Sequence, residues 1–246
     1  MFLVGHAVVA FLIVYIVCRI FKINQGVSFA LAMVIVIIPD IDIVTQSLGI
    51  MPHKTFTHSL IVSAAIGSSI FLVTRLGFKQ AFAVAMIYSL SYVLHLIADI
   101  VIGTLNILYP IGNLPVSIGI AYGSLTHIII EILLLAIAAW IIVGKAFRSI
   151  DNSTEDDNGM ATSSLFQFSV TDKISYIILI VSLIVSFGYI LDGLESLPRL
   201  ILDTDLEIAL FVLLHIAALM WVFFMMLAAR RYAAIFKRRS LIPGKQ

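Results

Sequence analysis

Residues 80–102, QAFAVAMIYSLSYVLHLIADIVI, carry two ionisable groups besides tyrosine, His95 and Asp99, both near the end of an otherwise apolar run. The run exceeds the roughly 20 residues that a helix needs to cross a bilayer. Six similar runs lie near 3–18, 27–43, 60–74, 121–143, 174–191 and 206–228. With 61% hydrophobic and 12% charged residues, the composition lies outside the range of soluble domains. The pattern predicts an all-α fold, a polytopic membrane helix bundle of about seven spans. The first run lacks the cationic start and small-residue cleavage site of a signal peptide, so it reads as a retained span.

The formal net charge is only +1, and the placement of the charges says more. With the N-terminus outside and seven spans following, the inner segments hold Arg19, Lys22, Arg75, Lys79, Lys145, Arg148 and Lys173. The C-terminal tail adds Arg230, Arg231, Lys237, Arg238, Arg239 and Lys245, leaving only Lys54 and Arg199 outside. The positive-inside rule favours this topology, with a cytoplasmic C-terminus and a cell-membrane, multi-pass location. The basic tail reads as an anchor at an anionic leaflet, and no nucleic-acid partner is expected. Cys18, the single cysteine, reads as a packed side chain without a role.

Three regions emerge. Residues 1–143 form a five-span core, 144–173 a polar flexible cytoplasmic loop, and 174–246 a two-span C-terminal extension with the basic tail. The connection from Gly103 to Ala121 has no charged residue but contains Pro110, Asn113 and Pro115. It is too broken for a span and too apolar for an ordinary loop. It lies in the outer interface, dips back as a re-entrant lid, or forms a buried connector, the commonest of these arrangements.

Against this apolar background the ionisable residues gather at one end. His6 lies about one turn into the first span. The second ends at Pro39-Asp40-Ile41-Asp42, where proline disrupts the helical ladder. The following loop carries His53-Lys54-Thr-Phe-Thr-His58-Ser. His95 and Asp99 sit in the last turns of the fourth span, and His127 and Glu131 early in the fifth. The topology drawn from basic residues alone puts all of them on the outer side. The His95/Asp99 and His127/Glu131 spacings are both i, i+4, so each pair shares a helical face. Ionisable groups in hydrocarbon are costly unless paired, hydrated or metal-bound, and histidine with carboxylate is a zinc-type ligand set. His215, alone near the middle of the seventh span, reads as a packed, hydrogen-bonded histidine. Asp192, Glu195, Asp203 and Asp205 read as a solvated face.

Gly5-His6, Pro39-Asp40-Ile41-Asp42, His53-Lys54-x-x-Thr57-His58-Ser59 and His95-x-x-x-Asp99, with a later Pro110, resemble the YdjM-like inner-membrane metal-dependent hydrolases. That family is distantly similar to the zinc-dependent phospholipase C and single-strand nuclease superfamily. The resemblance covers about residues 1–131. It implies that Asp40, His58, His95 and Asp99 hold paired metals with Asp99 as a bridge, that His6 is an N-terminal ligand, and that His127 and Glu131 help hold a further metal. Lys54 stands where arginine is usual. The histidine expected shortly after His-x-x-x-Asp is missing, with Thr104, Leu105 and Asn106 in its place, so two metals are expected rather than three. In the soluble enzymes the N-terminal amine is itself a ligand, and an uncleaved Met1 is expected to prevent that here.

The expected activity is a metal-dependent phosphoester hydrolysis on a lipid or lipid-linked phosphate, with zinc as the first choice of ion and manganese as the second. Asp40 or Asp42 would orient the attacking water or take its proton. His53 or Lys54 would bind the phosphate or stabilise the leaving group. The rival is a divalent-metal transporter or metal-binding membrane protein, since histidine and aspartate also line ion paths.

Overall fold

All seven apolar runs are helical in the computed structural model, which describes residues 1–23, 27–47, 49–50, 53–155, 170–196 and 205–240. Helix α1 spans Leu3–Ile20. Helix α2, Phe29–Ile37, starts on Ser28, whose side-chain oxygen accepts the Leu31 amide at 3.1 Å. Pro39 then shapes its end: without an amide hydrogen it cannot extend the ladder, and the chain tightens into a 3-10 turn over Ile38–Ile41. A short α3 follows at Asp42–Ser47. Helix α4, Leu60–Leu72, is capped by the Ser59 hydroxyl and closes in a π-helical turn at Val73–Gly77. Helix α5 covers Phe82–Val101, and a two-stranded hairpin, β1 (Leu105–Asn106) and β2 (Pro115–Val116), links it to α6 at Leu125–Glu155. Helices α7 (Val170–Ser196) and α8 (Asp205–Ser240) complete the chain.

Among the described residues, Leu3–Ile20, Leu60–Gly77, Phe82–Val101, Leu125–Ile142 and Leu206–Leu227 are long and apolar enough to cross a membrane. Phe29–Ile41 is shorter. At 1.5 Å per residue it makes about 20 Å of helix, short of a hydrocarbon core of ~30 Å. It packs against α1, α5 and α7 and buries most of its residues, so the carboxylates at its end are set inside the bundle.

The C-terminal pair is part of the same core. Phe11 of α1, Met33 of α2, Tyr92 of α5, Leu179 of α7 and Phe211 and Leu214 of α8 belong to one buried cluster. The expected polar loop at 144–173 is shorter than its composition implies. No proline lies between Leu125 and Val170, α6 stays helical to Glu155, and α7 begins at Val170. The rest of that polar stretch, residues 156–169, lies outside the described residues, as do Arg199, Asp203 and Lys245.

Candidate metal centre

The break after α2, the turn before α4 and the last turns of α5 bring Asp40, His58, His95 and Asp99 together, and the first turns of α1 add His6. All five side chains are buried. His95 Nδ1–H donates to the Val36 carbonyl at 2.8 Å, which leaves Nε2 with its lone pair turned into the cluster. His58 Nδ1 lies 3.1 Å from Asp42 Oδ2, which orients that ring in the same way. Carboxylate- or carbonyl-fixed imidazoles of this kind are the usual support for metal-ligating histidines.

The donor atoms divide into two loci. In the first, His58 Nε2 lies 3.5 Å from Asp40 Oδ1 and 3.4 Å from Asp99 Oδ2. His95 Nε2 lies 3.4 and 3.6 Å from the same two oxygens. Zinc-type bonds of ~2.0–2.2 Å put neighbouring donors roughly 3.3–3.6 Å apart. His58, His95 and Asp99 form one group, and His6, Asp40 and His95 another, whose donor atoms lie within 4.8 Å of one another and could hold an ion. The two imidazole nitrogens are closer, 2.9 Å apart. Burial disfavours a charge on His58, but its hydrogen bonds to Asp40 and Asp42 and the charge of Asp99 outweigh this and raise its pKa to about 9.

The second locus uses the other oxygens of the same carboxylates. His6 Nε2 is 3.3 Å from Asp99 Oδ1 and 4.0 Å from Asp40 Oδ2, and its ring stacks on His95 at a centroid distance of 3.8 Å. Asp40 and Asp99 are therefore placed as bridges. Among the described residues, His6 Nδ1, His6 Nε2 and Asp99 Oδ2 are buried without a hydrogen bond. Since buried polar atoms in folded proteins are almost always paired, these leftover donors and acceptors fit a divalent ion.

Several residues stand differently from expectation. Asp42, expected to handle a water or its proton, has both oxygens committed. Oδ1 pairs with His53 Nδ1 at 2.5 Å, and Oδ2 receives the Lys54 amide at 3.1 Å and the Thr57 hydroxyl at 2.6 Å besides His58. Burial alone would raise its pKa, but the bonds to His53, His58 and Thr57 hold it well below the carboxylate range. These bonds support the two histidines, and Asp42 also falls with Asp40, His53 and His58 in a group whose donor atoms lie within 4.8 Å of one another. His127 and Glu131 are not drawn into either locus. His127 Nδ1 accepts the Gly123 amide at 2.9 Å, so its Nε2–H donates to Glu131 Oε1 at 2.8 Å. The same oxygen accepts the Phe2 amide at 2.7 Å, and Phe2 stacks on His127 at 4.4 Å. The pair grips the start of α1 on the far side of Met1. Glycine at position 5 allows this, since a Cβ there would lie 2.6 Å from Glu131 Cδ.

The Met1 amine, expected not to serve as a metal ligand, donates as an ammonium to Asp99 Oδ1 at 2.6 Å. Lys54 Nζ lies 3.1 Å from the same oxygen. The side chains of Lys54 and His53 are 22% and 24% exposed, the most open of the group, and so form its rim. His215 is buried and donates from Nδ1 to the Phe211 carbonyl at 3.0 Å, while its Nε2 has no hydrogen-bond partner among the described residues. Thr57 was missed in the sequence, where a hydroxyl beside a histidine carries no ligand signal.

No curated protein and no solved structure matches the chain. A family model does: it covers residues 1–191, further than the motifs alone reach, and takes in most of α7. The chain belongs to the YdjM inner membrane protein family and is a multi-pass inner-membrane protein.

Proposed function

We propose that this protein is a metal-dependent hydrolase of phosphoesters. In this reading it holds two divalent ions, zinc first and manganese second, and acts on a lipid or lipid-linked phosphate at the outer leaflet. The observation that supports it most is the pair of buried three-residue groups, His58 with His95 and Asp99 and His6 with Asp40 and His95, in each of which the donor atoms lie within 4.8 Å of one another. Bound ions of this kind polarise a phosphoryl oxygen and lower the pKa of a water toward 7. The outer-face assignment rests on the basic residues, which gather at the opposite ends of the spans.

The chain's own residues then have distinct tasks. Asp42 and the Val36 carbonyl take the Nδ1 protons of His58 and His95 and so aim their Nε2 atoms. Lys54, at the rim, supplies a positive charge to a phosphate oxygen. His53 is held through Nδ1 by Asp42, and its other nitrogen is free to pass a proton to the leaving-group oxygen.

Elemental analysis of detergent-purified protein beside Asp99→Ala and His58→Ala, followed by turnover of phosphate esters and phospholipids, tests the reading. Two ions per chain, lost in the variants together with turnover, are expected. Metal-loaded protein that turns over no phosphoester but moves zinc or manganese across vesicles would replace the hydrolase by a transporter. No bound metal after reconstitution would sink both.

A further inference from the structure

The uncharged hairpin between α5 and α6 has a surface that the metal centre does not use. Leu105 pairs with Val116 and Asn106 with Pro115. Asn106 satisfies its own side chain within the hairpin, donating to Asn113 Oδ1 at 2.8 Å and accepting the Leu114 amide at 2.9 Å. The hairpin is tied to the metal end of the bundle at both feet. The Ile107 carbonyl accepts the amide of Leu60, the first residue of α4, at 2.9 Å. The Ile118 amide donates to Ile100 of α5 at 2.8 Å. Self-satisfied polar groups in a segment without charge suit a place where water is scarce.

The large side chains that face outward are apolar, and the smaller polar ones of Thr104, Asn113 and Ser117 are exposed beside them. Ile111 is 81% exposed and Ile118 66%, with Leu114 and Leu108 beside them, and Leu60 and Ile61 of α4 are exposed as well. This is the opposite of a buried connector. Single exposed leucines mean little, but here an uncharged apolar ridge is tied to the start of a helix long and apolar enough to cross the membrane. Because the protein is a multi-pass membrane protein, the covering that continues over such a ridge is lipid. Lys54, at the rim of the metal centre, lies beside both ends of the connection, Gly103 and Tyr122. Lys54 Nζ is 5.3 Å from the centre of the Tyr122 ring, and a Cβ on Gly103 would come within 3.7 Å of it.

We propose that residues 103–121 are immersed in the headgroup–acyl boundary of the leaflet at the metal end, as an apolar collar beside a single cationic mouth. A phosphate-bearing amphiphile then reaches the centre sideways from the bilayer, its chains along the hairpin and its phosphate toward Lys54. The immersion stands by itself; the route of entry rests on the hydrolase reading.

Cys18 is buried and is the only cysteine, so single reporters are simple to place. Ile111→Cys and Ile118→Cys, in a Cys18→Ser background, would carry a small fluorophore in nanodiscs. Ile137→Cys, on the exposed face of α6, serves as the mid-span reference. Expected is several-fold stronger quenching by lipids brominated near the carbonyl than by aqueous iodide at both hairpin positions. Deep-brominated lipids should favour the reference. Stronger quenching by iodide at the hairpin overturns the immersion. A second arm uses Ile111→Asp with metal content verified. Turnover of a long-chain phospholipid should fall several-fold while that of a water-soluble phosphoester holds, and equal loss of both overturns the route of entry. If no phosphoester is turned over at all, the hydrolase reading and the route of entry fail together, and the quenching result still decides the immersion.

Discussion

The two ends of the bundle both bury polar side chains, and they treat them in opposite ways. At the start of α2, Ser28 donates its hydroxyl to Asp172 of α7, receives the Leu31 amide, and gives its own amide to the Tyr88 hydroxyl at 2.7 Å. That knot closes on itself and joins α2, α5 and α7. At the other end of α2, the carboxylates of Asp40 and Asp99 face three imidazoles, and both nitrogens of His6 and one oxygen of Asp99 are left without hydrogen bonds among the described residues. An unpaired polar atom out of water costs several kcal/mol, so the first network is complete as architecture and the second needs a ligand to complete it.

The largest break in this comparison should come from Asp99, which serves both loci. Asp99→Ala is expected to lose both ions, whereas His6→Ala should keep the ion held by His58, His95, Asp40 and Asp99. Metal-to-protein ratios measured after gel filtration distinguish the two. Complete loss in His6→Ala would show that the carboxylates do not divide as their oxygens suggest. A smaller effect is expected at Asp42, whose bonds support His53 and His58. Asp42→Asn should weaken metal binding by roughly 10–100-fold, the usual cost of removing such a support. Competition against a chelator of known affinity measures it.

Next in size is Gly5→Ala. The added methyl meets the Glu131 carboxylate, which also holds the Phe2 amide, so the first turn of α1 must shift and His6 with it. Overpacking of this kind costs about 1–3 kcal/mol. The expected outcome is a lower unfolding temperature together with a selective loss at the His6 locus. If both loci keep full occupancy, the Glu131 grip does not position His6.

Much of this was legible in the sequence because the signals are local. Seven apolar runs became helices, Pro39 ended α2 where a proline must, and the i, i+4 spacing put His95 and Asp99 on one face. What was not legible is long-range. That Asp42 is spent on His53, Thr57 and His58 follows from a loop folding back, and its own sequence neighbourhood reads the same with the carboxylate free. The His127/Glu131 spacing correctly gave a shared face, but the face met the Phe2 amide. Composition also misread residues 144–155, where helix continues through polar side chains because nothing in the sequence stops it.

Asp172 shows the same limit from the structural side, and the smallest prediction concerns it. In the sequence it is one acid next to Lys173 at the edge of an apolar run, with no local sign of a partner. Its partner Ser28 is 144 positions away, and only the packing of α7 against α2 makes it a buried acceptor. Asp172→Asn keeps the shape and an acceptor but removes the charge that strengthens the bond, a loss of about 1 kcal/mol. For a chain of this size that lowers the unfolding temperature by roughly 2–4 °C, which thermal denaturation in detergent can resolve. Metal content should stay at the wild-type value, because the knot and the centre lie at opposite ends of α2 and share no side chain. A fall in bound metal in Asp172→Asn would mean that the two ends are coupled through the short, buried α2, and that the closed knot also helps to position the open cluster.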